Sequence, residues 1–316
     1  MALADDMAAA GRAGGDGSVA ALVERRAAAG DVEALRELGM WRLWGLVGPQ
    51  NVAQGYGYTL EAAKRGSVDA TLTLAGLLNT GTGLPRDAER GRAVVAALAD
   101  RSPAAAEQLR VAATAPPPPT TRDILRADPL VERIDGLLSA KECAYLIERA
   151  TPAVAPSTVI DPATQRRIPN PIRTSHGTNF PPTNEDVVVH AINCRIAEAT
   201  GTHWEQGEPL HILRYQPGQQ YRRHFDALPG VANQRVLTCL IYLNHGFSGG
   251  ETAFGDALKV KGRAGDAIVF ANTTPDGRAD PRTEHAGLPV TRGVKWLATR
   301  WIRARRTHPW EPDTLL

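Results

Sequence analysis

The chain has few of the features that mark secreted or membrane-bound proteins. Its three cysteines, Cys143, Cys194 and Cys239, lie far apart and form no CxxC pair. This pattern argues against a disulfide framework and against a structural zinc site, so we expect buried thiols in a reducing compartment. No run of about 18 apolar residues is present, so no membrane span is expected.

The chain also lacks an excess of charge of either sign. Lysine and arginine number 36 against 34 acidic residues, which gives a net charge of +2. Such a balance provides no overall field that would attract nucleic acid or an acidic membrane surface, so neither partner is expected. The first residues carry two acids and no apolar core of the length of a signal peptide. These absences together predict a cytoplasmic protein.

Enough apolar residues are present for sizeable cores, since hydrophobic residues make up 43% and charged residues 22% of the chain. A length of 316 residues is typical of two domains. The sharpest change in composition falls at APPPPTTR (115–122), where four consecutive prolines forbid a helix and favour an extended spacer. We therefore predict a first domain over 1–115, a proline-rich linker over 116–122 and a second domain over 123–316.

The first domain carries an internal repeat. The segment AAAGDVEALRELG (27–39) returns as AAKRGSVDATLTLAG (62–76), and a third, degraded copy begins near 99–109. A period of this size with apolar positions at helical spacing predicts stacked helix pairs, and the pattern resembles the short variant of the tetratricopeptide class. Such an array either binds a protein partner or caps and stabilises the second domain, and the sequence leaves both interpretations open.

The second domain begins with a strand and a helix over 131–150, where Ser139 and Glu142 predict a capping box. Another helix is predicted over 184–201, ending at Gly201. The hydrophobic period then changes to two, with strand candidates at 211–215, 235–244, 251–254, 266–272 and 294–303. Short strands at this spacing predict a sandwich or jelly roll with helices on one side.

A candidate metal site begins with His224 and Asp226. Side chains two residues apart on a strand share a face, so both can point to one position inside a barrel. A third ligand must come from a distant strand, and His285 is the candidate, because it opens the last hairpin after a polar loop. Two histidines and one carboxylate form the facial triad of non-haem Fe(II) oxygenases, which leaves positions open for substrates. Zinc in a hydrolase would accept similar ligands, so the triad alone does not decide the metal.

Lys295 provides a second feature of this chemistry. In the largest class of iron oxygenases the cosubstrate is 2-oxoglutarate, whose far carboxylate needs a buried cation. Lys295 follows His285 on the next predicted strand and alternates with Leu297, Thr299 and Trp301 onto one face. Its ammonium group can pair with a carboxylate through a charge-assisted hydrogen bond.

With these residues in place, the sequence resembles the prolyl 4-hydroxylase branch of the Fe(II)/2-oxoglutarate dioxygenases over roughly residues 130–305. Five segments carry the resemblance in order: RTSHG (173–177), LRYQPGQQYRRHFD (213–226), RVLTCLIYLN (235–244), GGETAF (249–254) and HAGLPVTRGVKW (285–296). The resemblance implies an α+β chain, with a C-terminal double-stranded β-helix, or jelly roll, and flanking helices after the α-helical repeat domain.

The resemblance also implies roles for individual residues and a set of cofactors. His224, Asp226 and His285 are expected to hold Fe(II), while Lys295, Tyr215 and Thr252 are expected to bind 2-oxoglutarate. Candidates for the pocket of the residue to be hydroxylated are Arg173, Tyr221, Arg235 and Trp301. Dioxygen is the second cosubstrate, and ascorbate as a reductant belongs to the expectation.

Several other residues receive structural interpretations. Tyr242 and Trp296 are expected in the core, and five histidines without a partner at ligand spacing are expected to be structural: His176, His190, His203, His211 and His245. One position departs from the family pattern, because Arg303 stands where some peptidyl-prolyl hydroxylases carry a histidine that touches the substrate. The loop ALPGVANQ (227–234) is also short.

Three functions follow from these observations. The resemblance and the repeats favour a 2-oxoglutarate-dependent dioxygenase that hydroxylates a prolyl residue in a peptide or protein. The first alternative is a hydroxylase of a free amino acid or natural-product intermediate, since Arg303 and the short loop put peptidyl proline in doubt. The second alternative is a catalytically inactive binding module. In such a module, the positions that bind the metal and the cosubstrate would have been free to change.

Overall fold

The computed structural model describes residues 3–114, 121–160, 167–308 and 310. The chain divides into two compact units, of which the first comprises Met1–Ala112 and Pro182–His190 and the second comprises the remainder. Residue 115 and residues 116–120 of the predicted linker lie outside the described residues. The first unit thus includes a short segment, 182–190, that the predicted boundaries assign to the second domain.

Helices alone build the described residues up to 114. Their bounds are α1 Leu3–Ala28, α2 Val32–Trp44, α3 Val52–Lys64, α4 Val68–Thr80, α5 Ala88–Ala96 and α6 Pro103–Ala112. Helix α1 is interrupted at Gly15, whose φ is 71°. Asp31, Ser67 and Ser102 each accept a hydrogen bond from the backbone amide three residues later, at 3.0, 3.2 and 3.3 Å. These N-caps start α2, α4 and α6, and the predicted α-helical character of this region is confirmed.

Small residues let neighbouring helices of the repeats approach closely. A Cβ atom at Gly39 of α2 would lie 2.7 Å from the Thr59 hydroxyl of α3, and one at Gly55 would lie 2.6 Å from Leu43. The core beneath includes Val23, Leu35 and other fully buried apolar side chains. The glycine and alanine content of this region therefore reflects close helix packing.

The second unit contains α7 Ala140–Ala150 and most of α8 Val187–Thr200, whose first four residues belong to the 182–190 segment of the first unit. Its first eight strands are β1 Arg122–Arg126, β2 Val131–Ile134, β3 Ala155–Pro156, β4 Thr158–Ile160, β5 Arg167–Pro169, β6 His176–Phe180, β7 Leu210–Tyr215 and β8 Tyr221–His224. The others are β9 Arg235–Tyr242, β10 Ser248–Gly249, β11 Thr252–Phe254, β12 Leu258–Val260, β13 Ala267–Ala271, β14 His285–Gly287, β15 Val290–Arg292 and β16 Lys295–Arg303.

Two antiparallel sheets dominate the second unit. The larger has the strand order β1-β2-β13-β9-β16-β7-β6-β3, and the smaller has the order β12-β11-β14-β8. Side chains from both sheets, including Tyr215, Phe254 and Phe270, form one buried cluster. The predicted class, a jelly roll with flanking helices preceded by a helical region, is confirmed. Among the described residues, no helix has both the length and the apolar character required to cross a membrane.

Local signals in the sequence predicted several element boundaries correctly. Ser139 and Glu142 form the predicted capping box at the start of α7, and α8 ends before Gly201, which has a φ of 65°. Helix α8 begins later than predicted because the Asp186 carboxylate accepts hydrogen bonds from the amides of Val188 and Val189, at 2.9 and 3.0 Å. An aspartate in this position stabilises a helix start.

Candidate metal and cosubstrate site

Strand pairing brings the three predicted metal ligands together. His224 ends β8 and lies directly opposite His285, the first residue of β14. The nearest ligand atoms of His224, Asp226 and His285 all lie within 4.8 Å of one another. The Asp226 carboxylate is 3.6 Å from Nε2 of each histidine. All three side chains are buried.

Backbone carbonyls fix the orientation of both imidazoles. Nδ1 of His224 lies 2.7 Å from the carbonyl of Arg222, and Nδ1 of His285 lies 3.0 Å from the carbonyl of Thr283. A carbonyl only accepts, so each Nδ1 carries a hydrogen, and Nε2 is the nitrogen that faces Asp226. This arrangement is typical of histidines that bind a metal.

The carboxylate of Asp226 is oriented by a short chain of hydrogen bonds. The Thr238 hydroxyl donates to Asp226 Oδ2 at 2.8 Å, and the Asn272 amide donates to that hydroxyl at 2.8 Å. Burial acts to raise the pKa of Asp226, but His285, His224 and the Thr238 hydrogen bond outweigh it and lower that pKa. Asp226 is therefore an anion at neutral pH.

His224 and His285 are also suited to bind a metal ion. Burial, and then the proximity of His285, lower the pKa of His224 to about 4, so its imidazole is neutral at physiological pH. The imidazoles of His224 and His285 and the carboxylate of Asp226 form a facial set of donors for a divalent ion and leave further positions open. Within the ranges that the structure describes, no other group of three His, Cys, Asp or Glu side chains brings its ligand atoms within 4.8 Å of one another. The residues present fit an iron ion.

A cavity beside the triad contains the predicted cosubstrate residues. Its lining includes Tyr215, Thr252 and Lys295. The ammonium group of Lys295 donates to the carbonyl of Gly250 at 2.7 Å and lies 5.1 to 5.4 Å from the ring centres of Tyr242 and Tyr215. In the described part of the chain, Lys295 makes no ion pair with a carboxylate.

Burial makes this lysine unusual. Only 2% of its surface is exposed, and desolvation lowers its pKa to about 7, an effect opposed by Glu251 and assisted by Lys261. Nearby, the Thr299 hydroxyl is buried in the cavity wall without a hydrogen-bond partner. A buried cation and an unsatisfied hydroxyl in one cavity indicate a site built for a ligand with oxygen atoms.

A second, open cleft of about 380 Å³ contains all four predicted pocket residues, Arg173, Tyr221, Arg235 and Trp301. Tyr221 and Trp301 line both this cleft and the cavity of the triad, so the two spaces adjoin. The Tyr221 ring stacks on His224 with centroids 3.4 Å apart. The guanidinium group of Arg173 lies 5.3 Å from the centre of Tyr221, and that of Arg235 lies 4.1 Å from the centre of Trp301.

Glu208 is a residue of this cleft that sequence reasoning missed. Its carboxylate accepts two hydrogen bonds from Arg235, both at 2.7 Å, and one from Arg303 at 2.6 Å. Arg303 is only 4% exposed and also donates to the carbonyl of Asn233. The departure from the family pattern at Arg303 thus holds Glu208 in place.

The histidines differ in their surroundings. His211 was interpreted as structural, but it lines the cleft with its ring centre 5.7 Å from that of Trp301. Burial, Arg173 and Arg235 lower its pKa to about 3, so it is neutral there. No spacing in the sequence signals either Glu208 or His211, because their partners lie on strands distant along the chain.

The two aromatic residues interpreted as core are both buried. The Tyr242 hydroxyl donates to the carbonyl of Val260 at 3.0 Å, and its ring also faces Lys295. Trp296 is 8% exposed and lies beneath the guanidinium group of Arg214, 5.9 Å from its centre. Both side chains therefore support the walls of the barrel.

Comparisons with known proteins agree with this geometry. Residues 210–303 match the 2OG-Fe(II) oxygenase superfamily. Two relatives from Arabidopsis thaliana are Probable prolyl 4-hydroxylase 10, 35% identical over 57% of this chain and 71% of its own, and Prolyl 4-hydroxylase 1, 34% identical over 64% of this chain and 76% of its own. A solved structure, the viral collagen prolyl hydroxylase of Paramecium Bursaria Chlorella virus-1 with 2OG, is 31% identical over 55% of this chain and 96% of its own, with a TM-score of 0.44.

The matched region of the plant relatives exceeds two thirds of their length. The residues that match the superfamily, 210–303, include the strands that carry the histidine and aspartate cluster. The chain therefore belongs to the prolyl 4-hydroxylase branch of the 2OG-Fe(II) oxygenase superfamily and is a dioxygenase that depends on Fe(II), 2-oxoglutarate and O2.

Proposed function

We propose that this enzyme hydroxylates a prolyl residue in a peptide or protein. The observation that carries the proposal is the arrangement of one buried cavity, which joins a metal-binding triad to Lys295, a lysine without a carboxylate partner among the described residues, and adjoins an open cleft. The names of the plant relatives, which are prolyl 4-hydroxylases, support the choice of substrate.

The proposed metal ligands are Nε2 of His224, the carboxylate of Asp226 and Nε2 of His285. Iron bound there with 2-oxoglutarate and O2 supplies the oxidising power needed to replace a C–H hydrogen by a hydroxyl group. The contribution of the protein is to keep the imidazole of His224 neutral through burial, to orient both imidazoles through their Nδ1 hydrogen bonds and to keep Asp226 ionised. The Thr238 hydroxyl holds the carboxylate in its orientation.

Lys295 is proposed to bind the far carboxylate of 2-oxoglutarate. Its buried ammonium group lacks a counterion within the described residues, so a dicarboxylate would supply the missing charge. The hydroxyl groups of Tyr215 and Thr252 line the same cavity and provide further hydrogen bonds. Apolar walls formed by Leu213, Leu240 and other side chains exclude water around these groups.

The substrate is proposed to enter the open cleft, with the proline next to Tyr221 and Trp301. These rings line both spaces, so a residue between them can reach the triad while its neighbours remain in the cleft. Arg173 and Arg235 supply donors for the polar groups of a peptide. A free amino acid or natural product remains the second candidate, because the cleft is also wide enough for a small molecule.

The remaining features of the proposal concern the whole chain. We assign residues 1–115 to a repeat domain that binds a partner protein, 116–122 to a linker and 123–316 to the dioxygenase domain, and the compact units near these bounds support the division. The small number of cysteines, which lie far apart in the sequence and form no CxxC pair, supports a cytoplasmic location. The small net charge supports the absence of nucleic-acid and membrane partners. Ascorbate is proposed as the reductant that restores inactivated iron.

Mass spectrometry of proline-containing peptides, and of free proline, tests the proposal. We expect the enzyme to add one oxygen atom to proline only when Fe(II), 2-oxoglutarate and O2 are present. Asp226→Ala should abolish this product, whereas Asp256→Ala, at an exposed aspartate outside both spaces, should retain it. Hydroxylation by Asp226→Ala at the wild-type rate would refute the assignment of the metal ligands, and hydroxylation of free proline alone would favour the small-molecule alternative.

A further inference from the structure

The cleft next to the triad holds more positive than negative charge. Among the described residues that line it, Glu208 is the one carboxylate, while Arg173 and Arg235 both contribute guanidinium groups. Glu208 is already shared between Arg235 and the buried Arg303. Its single negative charge is therefore fully engaged by two arginines, and none remains for Arg173.

Among the described residues, Arg173 has no charged partner of its own. In the described part of the chain it forms no ion pair, and its buried Nε has no hydrogen-bond partner. Its guanidinium group lies over the face of Tyr221, 5.3 Å from the ring centre. The neighbouring His211 is neutral and cannot compensate the charge. A partly buried cation in this position is stabilised when a ligand brings an anion.

Arg173 lies close to the metal site, where the substrate carbon would react. Arg173 pairs with Tyr221 through an isolated β-bridge, and Tyr221 in turn stacks on the metal ligand His224. Asn170 accepts hydrogen bonds from the amides of Ile172 and Arg173, both at 3.0 Å, which fixes the backbone at this point. The Tyr221 ring thus lies against both the guanidinium group of Arg173 and the metal ligand His224.

We infer that the substrate carries a carboxylate directly beside the residue that is hydroxylated, and that Arg173 binds this carboxylate. The inference rests on the proposed function and specifies its substrate class. Two sources supply the same chemistry: an aspartate or glutamate side chain next to proline in a peptide, and the α-carboxylate of a terminal or free proline. Arg303 acts as a positioning residue, because it engages Glu208 together with Arg235 and leaves Arg173 without a counterion.

Matched substrates test the inference and separate the two sources. The first pair consists of peptides that differ only in an aspartate or an asparagine after the proline. The second pair is free proline and its amide. We expect kcat/KM to be about tenfold or more higher for the carboxylate member of at least one pair, since a charge-assisted pair with arginine is lost in the other member. Affinities for the anaerobic enzyme loaded with iron and 2-oxoglutarate should follow the same order.

Variants assign the preference to one side chain. Arg173→Gln should bring the ratio of kcat/KM between the carboxylate member and the neutral member of a pair close to one. Arg173→Lys should retain part of the preference for the carboxylate member. Arg292→Gln removes an equal charge from an exposed position that lines neither space, and it should leave the wild-type ratio unchanged. A ratio near one in the wild type, or an unchanged ratio in Arg173→Gln, would overturn the inference while proline hydroxylation stands. No hydroxylation of any of the four substrates would reject the proposed function and the inference with it.

Discussion

His285 and His224 occupy directly opposed positions on β14 and β8, and their ring centres lie 4.2 Å apart. This pairing places two imidazoles from distant parts of the sequence on either side of Asp226. Because each Nδ1 is bound to a backbone carbonyl, the ligand atoms face the site before any metal arrives. Such preorganisation reduces the cost of ordering the ligands on binding.

Thr238→Val tests the orientation of the Asp226 carboxylate. The substitution removes the hydroxyl that donates to Asp226 and accepts from Asn272, with little change in volume. We expect Fe(II) affinity to fall about tenfold, as is typical when a supporting contact of a metal ligand is lost. Anaerobic titration with Fe(II) measures the effect. Thr291→Val, at an exposed site, is the control, and equal affinities in both variants would reject this role for Thr238.

Lys295→Met tests the cosubstrate site. Loss of a charge-assisted hydrogen bond of about 3 kcal/mol should raise the KM for 2-oxoglutarate about 100-fold. Thermal stability without ligands should not fall, because the substitution replaces a buried, uncompensated cation with an apolar side chain. Succinate formation and thermal unfolding measure the two effects. The exposed Lys259 provides the matched control, since Lys259→Met should leave the KM for 2-oxoglutarate as in wild type.

The affinity for 2-oxoglutarate should depend on pH around neutrality. Burial lowers the pKa of Lys295 from 10.5 to about 7, so the free enzyme carries the charged ammonium below pH 7 and loses it above. Since the carboxylate needs the charged form, affinity should weaken as pH rises through 7, with uptake of a proton on binding. Anaerobic calorimetry of the iron-loaded enzyme between pH 6 and 9 measures both the affinity for 2-oxoglutarate and the uptake of the proton.

Lys295→Arg is the control for this pH dependence. Arginine stays charged over the whole range, so the slope should disappear even where the absolute affinity is lower. An affinity of the wild type that stays constant between pH 6 and 9 would show that Lys295 does not titrate there. The same low pKa implies that the folded state gains stability between pH 7 and 10.5, because the unfolded chain then binds the proton that the folded chain has lost.

Glu208→Ala tests the packing of the open cleft. The change leaves Arg235 and the buried Arg303 without their shared carboxylate. Breaking a buried ion pair costs about 3 kcal/mol of unfolding free energy. Urea denaturation should therefore show a clear loss of stability. Restoration of most of that loss by Glu208→Gln would indicate that hydrogen bonding, and not charge, holds the two arginines.

Much of the site could be predicted because its residues obey local rules. The period of two placed Lys295, Leu297, Thr299 and Trp301 on one face, and the structure has all four in one cavity. Glu208 could not be found in this way. Its contacts with Arg235 and Arg303 span 27 and 95 residues and depend on the register between β9 and β16, which no local pattern encodes.

The helical elements likewise include features that the local sequence predicts and features that depend on tertiary contacts. Asp31 and Ser67 appear in the sequence as equivalent positions of a repeat, and both cap helices. Residues 182–190 pack in the first unit although they follow the first strands of the second. That placement depends on tertiary contacts such as the one between the Asn79 amide and the carbonyl of Glu185, at 3.2 Å, which span 106 residues.

Anaerobic Fe(II) titration of the wild type and of Asp226→Ala tests the central claim most directly, because it measures the metal without requiring a substrate. We expect the wild type to bind one ion per chain and Asp226→Ala to lose this binding, with its fold intact by circular dichroism. Binding of one ion by Asp226→Ala with unchanged affinity would contradict the claim that His224, Asp226 and His285 hold the iron.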